Sequence, residues 1–265
     1  MGWLAFVLIL GGCATPRPKP SAALPAPGSG PITEQPPAFP TPPPLTDRQI
    51  LGLDHPPGLV QDPASGQKAQ GPVLEYFWKL KEKAKKDGWD LILVSGFRSF
   101  YHQRQIWNHY DRLYKKSENL DQKARVRAVM TLVSIPGLSR HQWGTDLDIS
   151  EASLRGQLEN VNPGTPSRVI AFYRWMEDNA PDFGFCKTYQ GKRGAVRDEP
   201  WHWSFVPFAK VYEAHIKGLG DYHLIMSDRV ADVDYLMRYF PQLMAAEMKS
   251  ISDDCSKGNT GPDGR

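Results

Sequence analysis

Two short segments carry side chains that could assemble a hydrolytic metal site. Ser139-Arg-His141-Gln-Trp-Gly144-Thr-Asp-Leu-Asp148 offers an imidazole and a carboxylate, and Glu199-Pro-Trp-His202-Trp203 offers a second imidazole and a further carboxylate. His141, Asp148 and His202 together make two imidazoles and one carboxylate. That is a donor set for catalytic zinc, with a fourth position left for water. Zinc lowers the pKa of such a water and polarises a carbonyl. Glu199 lies three residues before His202, so from an extended run or turn it can reach that water. It would take the water's proton and pass it to a leaving amine. A third segment, Ser95-Gly-Phe-Arg98-Ser99, adds a guanidinium that could hold a substrate carboxylate or steady an oxyanion. Each residue also has a plainer reading when taken singly. His141 or His202 can be a hydrogen-bonded structural histidine, Arg98 an ion-pair partner, and Asp148 a cap. The spacing matches no short zinc motif such as His-Glu-x-x-His, so spacing leaves both readings open.

The flanking sequence predicts the elements that position these groups. Val73–Lys86 places Val73, Leu74, Phe77, Leu80 and Ala84 at helical spacing, and Asp87-Gly88 closes it. Leu91–Val94 is a short apolar run, read as a buried strand that delivers Arg98 at its C-terminal end. Tyr101–Tyr114 reads as a helix with Ile106, Tyr110 and Leu113 on one side, and Gln122–Val133 as a second helix ending before Pro136-Gly137. Thr145–Ile149 reads as a strand in which Asp146 and Asp148 share a face. Ser167–Asn179 is an amphipathic helix carrying Val169, Phe172, Tyr173 and Met176. Gly191–Arg197 reads as a loop, Trp201–Val206 as a strand, and Phe208–Ile216 and Val230–Met248 as helices. The polar tail from Asp253 reads as frayed. Helical runs with short strands between turns predict an α+β fold, not a doubly wound array.

These motifs resemble the D-alanyl-D-alanine carboxypeptidase family of the VanY type, within the zinc peptidases that include the dipeptidase VanX. The family pattern is Ser-x-His-x-x-Gly-x-Ala-x-Asp followed by Glu-Pro-Trp-His. Ser139, His141, Gly144 and Asp148 match the first part, and Glu199, Pro200, Trp201 and His202 the second. Ser95 to Ser99 resembles the family's Ser-Gly-Tyr-Arg-Ser segment, and Gln103 its following glutamine. Agreement runs from about Gly71 to Ala214. The resemblance implies that His141, Asp148 and His202 bind zinc, that Glu199 is the catalytic base, and that Arg98 contacts the substrate and steadies the transition state. It also implies substrate or supporting contacts for Ser139 and Gln103. The implied fold is α+β, a small antiparallel sheet flanked by helices, related to VanY, VanX and hedgehog-type domains. Asp146 departs from the pattern, where a small residue is usual. A second carboxylate there could support a metal ligand from behind or raise a neighbour's pKa. Trp201 and Trp203 either wall the cleft or belong to the core.

The implied activity is removal of terminal D-alanine from peptidoglycan stem peptides. D,D-endopeptidase or L,D-carboxypeptidase action stands as an alternative, and a non-catalytic cell-wall-binding lipoprotein as another. Composition agrees with one catalytic body. The chain has 265 residues, 40% of them hydrophobic, and a formal net charge of +3, with no basic block that would suggest nucleic acid. Twelve of the 24 prolines lie between Pro16 and Pro44. That stretch reads as a semi-rigid spacer or a disordered tail. Ahead of it, an apolar run ends in Leu10-Gly11-Gly12-Cys13, which resembles the lipobox of bacterial lipoproteins. By that resemblance Cys13 is acylated and becomes the mature N-terminus. Acyl chains would then anchor the protein to a membrane, on the periplasmic side of the cell envelope, at the outer membrane. No Lys or Arg precedes the apolar run, a departure from the usual signal. The expected organisation is a signal at 1–12, tether and linker at 13–66, catalytic domain at 67–218, and a C-terminal helical extension at 219–265. Cys186 and Cys255 could pair in an exported protein or remain two thiols.

Overall fold

The computed structural model describes residues 39–117, 119–154, 164–191, 193–219, 222–225 and 229–257. The N-terminal apolar run, Cys13, the proline tract up to Ala38 and the end of the polar tail lie outside the described residues. In chain order the elements are helix α1 (Asp47–Ile50), strands β1 (Leu59–Gln61) and β2 (Lys68–Gln70), helix α2 (Gly71–Lys86) and strand β3 (Leu91–Ser95). Helices α3 (Phe100–Ser117) and α4 (Gln122–Met130), strand β4 (Asp146–Glu151) and helix α5 (Ser167–Asn179) follow. Strands β5 (Phe185–Lys187) and β6 (His202–Phe205) precede helices α6 (Val206–Gly218), α7 (Val233–Met248) and α8 (Asp253–Lys257).

The fold is α+β. Strands β1 and β2 form a hairpin, and β3-β4-β6-β5 form an antiparallel sheet. In the two central strands the side chains alternate. Leu147, Ile149, Trp203 and Phe205 point into the hydrophobic core. Asp146, Asp148, His202 and Ser204 occupy the alternate positions and so share the other face. The register sets Asp148 opposite His202 and Asp146 opposite Ser204.

The apolar stripe read for α2 is buried in full, from Val73 and Leu74 to Ala84. Helix α3 turns differently from the expectation. Its core face carries Phe100, Gln103, Trp107 and Asp111, while Leu113 is 46% exposed. Trp107 is the anchor, with its indole N–H donating to the Ala231 carbonyl at 3.1 Å. Asp111 is tolerated inside because Arg125 and Lys115 pair with it. Ile106 and Tyr110 instead border the cleft described below.

Two boundaries also differ. The segment from Phe39 to Gly66, read as linker, is built into the body. Ile50 and Leu51 are fully buried, and Phe39 packs on Tyr76 and Phe205. The tail from Asp253 begins as helix α8 rather than fraying, because a disulfide joins Cys255 to Cys186 on β5. Ser252 N–H adds a backbone bond to the Thr188 carbonyl at 2.8 Å. Among the described residues, no helix is long and apolar enough to cross a membrane.

The disulfide closes a separation of 69 residues, and such a crosslink contributes about 2–4 kcal/mol by restricting the unfolded chain. Reductant should lower the Tm of the wild-type protein and leave a Cys186→Ser/Cys255→Ser variant unmoved. Equal melting with and without reductant would contradict the crosslink. Glu247 on α7 gives a second expectation. Burial pushes its carboxyl from the ordinary 4.5 up to about 7, against hydrogen bonds from Ser134 and the Ile135 N–H. The folded state therefore keeps a proton that the unfolded chain releases, and stability falls as pH rises from about 4.5 to 7. Glu247→Gln should melt like wild type at pH 4 and be more stable at pH 8, by about 1–3 kcal/mol. The same pH dependence in both proteins would contradict this.

Candidate metal centre

Adjacent antiparallel strands place directly opposed side chains close together. The β4–β6 register thus brings the Asp148 carboxylate and the His202 imidazole side by side. His141 comes from outside the sheet, on the 3-10 turn Arg140–Trp143 just before β4. Gly144 ends that turn with φ 68°, a left-handed conformation that favours glycine. Two hydrogen bonds then lock the turn to the loop after β3. His141 Nδ1–H donates to the Gly96 carbonyl at 2.8 Å, and the Arg98 N–H donates to the His141 carbonyl at 3.1 Å. Gly96 must lack a side chain, since a Cβ there would overlap the Lys68 carbonyl oxygen.

One ligand atom from each of His141, Asp148 and His202 lies within 4.8 Å of the other two. His141 Nε2 is 3.4 Å and His202 Nδ1 3.6 Å from Asp148 Oδ1. That oxygen is buried and has no hydrogen-bond partner among the described residues. An orphaned carboxylate oxygen between two imidazole nitrogens is the arrangement a divalent cation satisfies. Two nitrogens and one carboxylate beside an open cleft fit zinc with three protein ligands.

The remaining groups surround this centre. Glu199 Oε2 is 3.1 Å from His202 Nδ1, and Glu199 lines the cleft. Arg98 also lines it, donating to Gln103 Oε1 at 2.9 Å and to Ser95 Oγ at 3.1 Å. Its guanidinium is 3.7 Å from Asp148 Oδ2. Ser139 reaches the cleft wall. Gln103 stands behind that wall, in the supporting position that was one of its two expected roles. Its amide is spent at both ends, on Arg98 and on the Ser134 carbonyl at 2.7 Å. It orients the guanidinium from behind. Trp201 borders the cleft, whereas Trp203 is core and donates to the Pro200 carbonyl. Cys13 lies outside the described residues.

The electrostatics keep Asp148 and Asp146 ionised. Burial alone would raise the Asp148 carboxyl, but His141, His202 and Arg98 hold it down at about 2. Burial likewise opposes charge on His202, yet hydrogen bonds to Asp146 and Glu199 and the Asp148 charge raise the ring to about 9. Asp146 is fully buried, and Arg140, His202 and Ser204 together outweigh that burial and hold it well below the usual carboxylate range. Arg140, Ser204 and Glu213 were not singled out in the sequence. The available signal was Asp146 itself, because a carboxylate on the buried face of a central strand requires a buried cation.

Residues 67–208 match the family model described as VanY, D-alanyl-D-alanine carboxypeptidase. A D-alanyl-D-alanine carboxypeptidase of Enterococcus faecalis is 27% identical over 159 residues, 59% of this chain and 55% of the relative. The putative carboxypeptidase YodJ of Bacillus subtilis is 33% identical over 128 residues, 47% of this chain and 41% of the relative. The chain thus spans about half the length of these curated relatives. A solved VanY D,D-pentapeptidase from a VanB-type resistance cassette, in complex with Zn(II), is 27% identical with a TM-score of 0.47, covering 63% of this chain and 86% of that one. The match to the family model runs from β2 into α6, takes in Arg98, His141, Asp148, Glu199 and His202, and covers more than half of the sequence, so the chain belongs to the VanY D-alanyl-D-alanine carboxypeptidase family.

Proposed function

We propose that this protein is a zinc-dependent peptidoglycan peptidase that removes terminal D-alanine from stem peptides. The observation that carries the reading is the orphaned Asp148 Oδ1, held between two imidazoles with Glu199 alongside. His141, Asp148 and His202 would hold the zinc, which when bound would supply Lewis-acid polarisation of the scissile carbonyl and a more acidic water. Glu199 is the general base. It takes a proton from the water as the C–O bond forms and delivers it to the departing nitrogen as the C–N bond breaks. Arg98 is held by Gln103 and Ser95, so its charge is already in place for the oxyanion or the substrate carboxylate. Ser139 offers a hydroxyl on the same wall. The cleft beside these residues has a volume of about 270 Å³.

The same proposal places the enzyme in the cell envelope, facing the periplasm and held at the outer membrane through acylated Cys13. The proline-rich stretch would then be the spacer that lets the anchored domain reach the wall. A disulfide between Cys186 and Cys255 suits an oxidising compartment.

Digestion of purified muropeptides, read by mass spectrometry, tests the reaction. The expected product is the stem peptide shortened by a single alanine. Separation of crosslinked dimers without that loss would instead identify an endopeptidase. Glu199→Ala should still bind zinc while turnover falls by about 10²–10⁴-fold. Unchanged turnover would overturn the general-base assignment.

A further inference from the structure

Asp146 stands one pleat along from Asp148 on the same face of β4, where the mechanism gives it no task. It is fully buried. Its Oδ1 is 3.1 Å from Nε2 of His202, the ring nitrogen that faces away from Asp148. The nitrogen on the other side, Nδ1, is the one turned toward Asp148 and the candidate metal position. An imidazole that offers the Nδ1 lone pair to a metal must carry its proton on Nε2. In a buried site that N–H needs an acceptor, and Asp146 is that acceptor.

Asp146 is itself held from several sides. Thr145 Oγ1–H donates to its Oδ2 at 2.7 Å, and Ser204 Oγ–H donates to its Oδ1. Arg140 Nε–H donates to Oδ1 at 3.0 Å. The guanidinium continues to Ser204 Oγ at 2.9 Å and to Glu213 Oε2 at 2.8 Å. Glu213 accepts from Lys217, whose side chain is 48% exposed. Two cations and two anions alternate from helix α6 at the surface to the back of His202. A pair serving stability alone could end at Arg140 and Asp146. Here the last carboxylate oxygen is shared with a metal-ligand candidate.

We propose that Asp146, fixed by Arg140 and Glu213, is the positioning residue that sets the ring orientation and proton position of His202 for metal binding. The inference rests on the zinc reading above. Positioning carboxylates behind a metal-bound histidine typically change metal affinity by about 10–100-fold.

Competition with a chromophoric zinc chelator, on the full chain, tests it. Wild type should bind zinc, and failure to bind would sink the zinc reading itself. An Arg140→Met/Asp146→Ala variant removes both members of that buried pair together, and Glu213 keeps its bond from Lys217. This variant should bind zinc about 10–100-fold more weakly. Leu147→Ala, on the opposite face of the strand, should lower Tm without moving zinc affinity. Zinc affinity equal to wild type in the folded double variant would overturn the proposal. If the double variant does not fold, the imidazole ¹H–¹⁵N spectrum of zinc-loaded wild type decides. A slowly exchanging Nε2–H on His202 is expected. A proton on Nδ1 instead would overturn the assignment.

Discussion

The candidate metal centre depends on one register, the antiparallel pairing of β4 with β6 that sets Asp148 across from His202. A one-residue slip would turn every side chain on β6 to the other face. Trp203 and Phe205 would then enter the cleft and His202 and Ser204 the core. The hydrophobic side of the sheet makes that slip costly, because Leu147, Ile149, Trp203 and Phe205 are all buried there. The packing of the apolar face therefore specifies the geometry of the polar one. His141 is coupled to the same frame through the reciprocal bonds between its turn and the loop after β3.

The polar face concentrates charge where water is scarce. Buried ions are costly unless paired and hydrogen-bonded, and each ion here has partners from separate elements. Arg140 draws on β4, β6 and α6. Arg98 draws on β3 and α3. Among the described residues of this face, the buried carboxylate oxygen Asp148 Oδ1 is left without a partner. It lies at the position where His141 and His202 also present nitrogens, so the shortfall and the donor set coincide.

Much of this was legible in the sequence. The period-two alternation in Asp-Leu-Asp-Ile put Asp146 and Asp148 on one face, and the structure keeps them there. The α2 stripe was equally readable, since its buried residues are all apolar at helical spacing. Helix α3 was misread because its core face includes Gln103 and Asp111, polar residues that are satisfied only by partners distant in sequence. Strands β1, β2 and β5 have three residues each, too few to show a period. The burial of Leu45, Ile50 and Leu51 was hidden by the prolines and glycines around them, which suggest a linker whether or not the segment packs. Arg140 stands between Ser139 and His141 with nothing local to mark it. Its meaning depends on Glu213, 73 residues away.

A crystal structure of zinc-loaded protein, with anomalous scattering recorded at the zinc edge, tests the central claim most directly. The account predicts one peak bonded to His141 Nε2, an Asp148 carboxylate oxygen and His202 Nδ1, about 2.0–2.2 Å from each. No peak at these three donors, or a His202 ring turned so that Nε2 meets the metal, would contradict it.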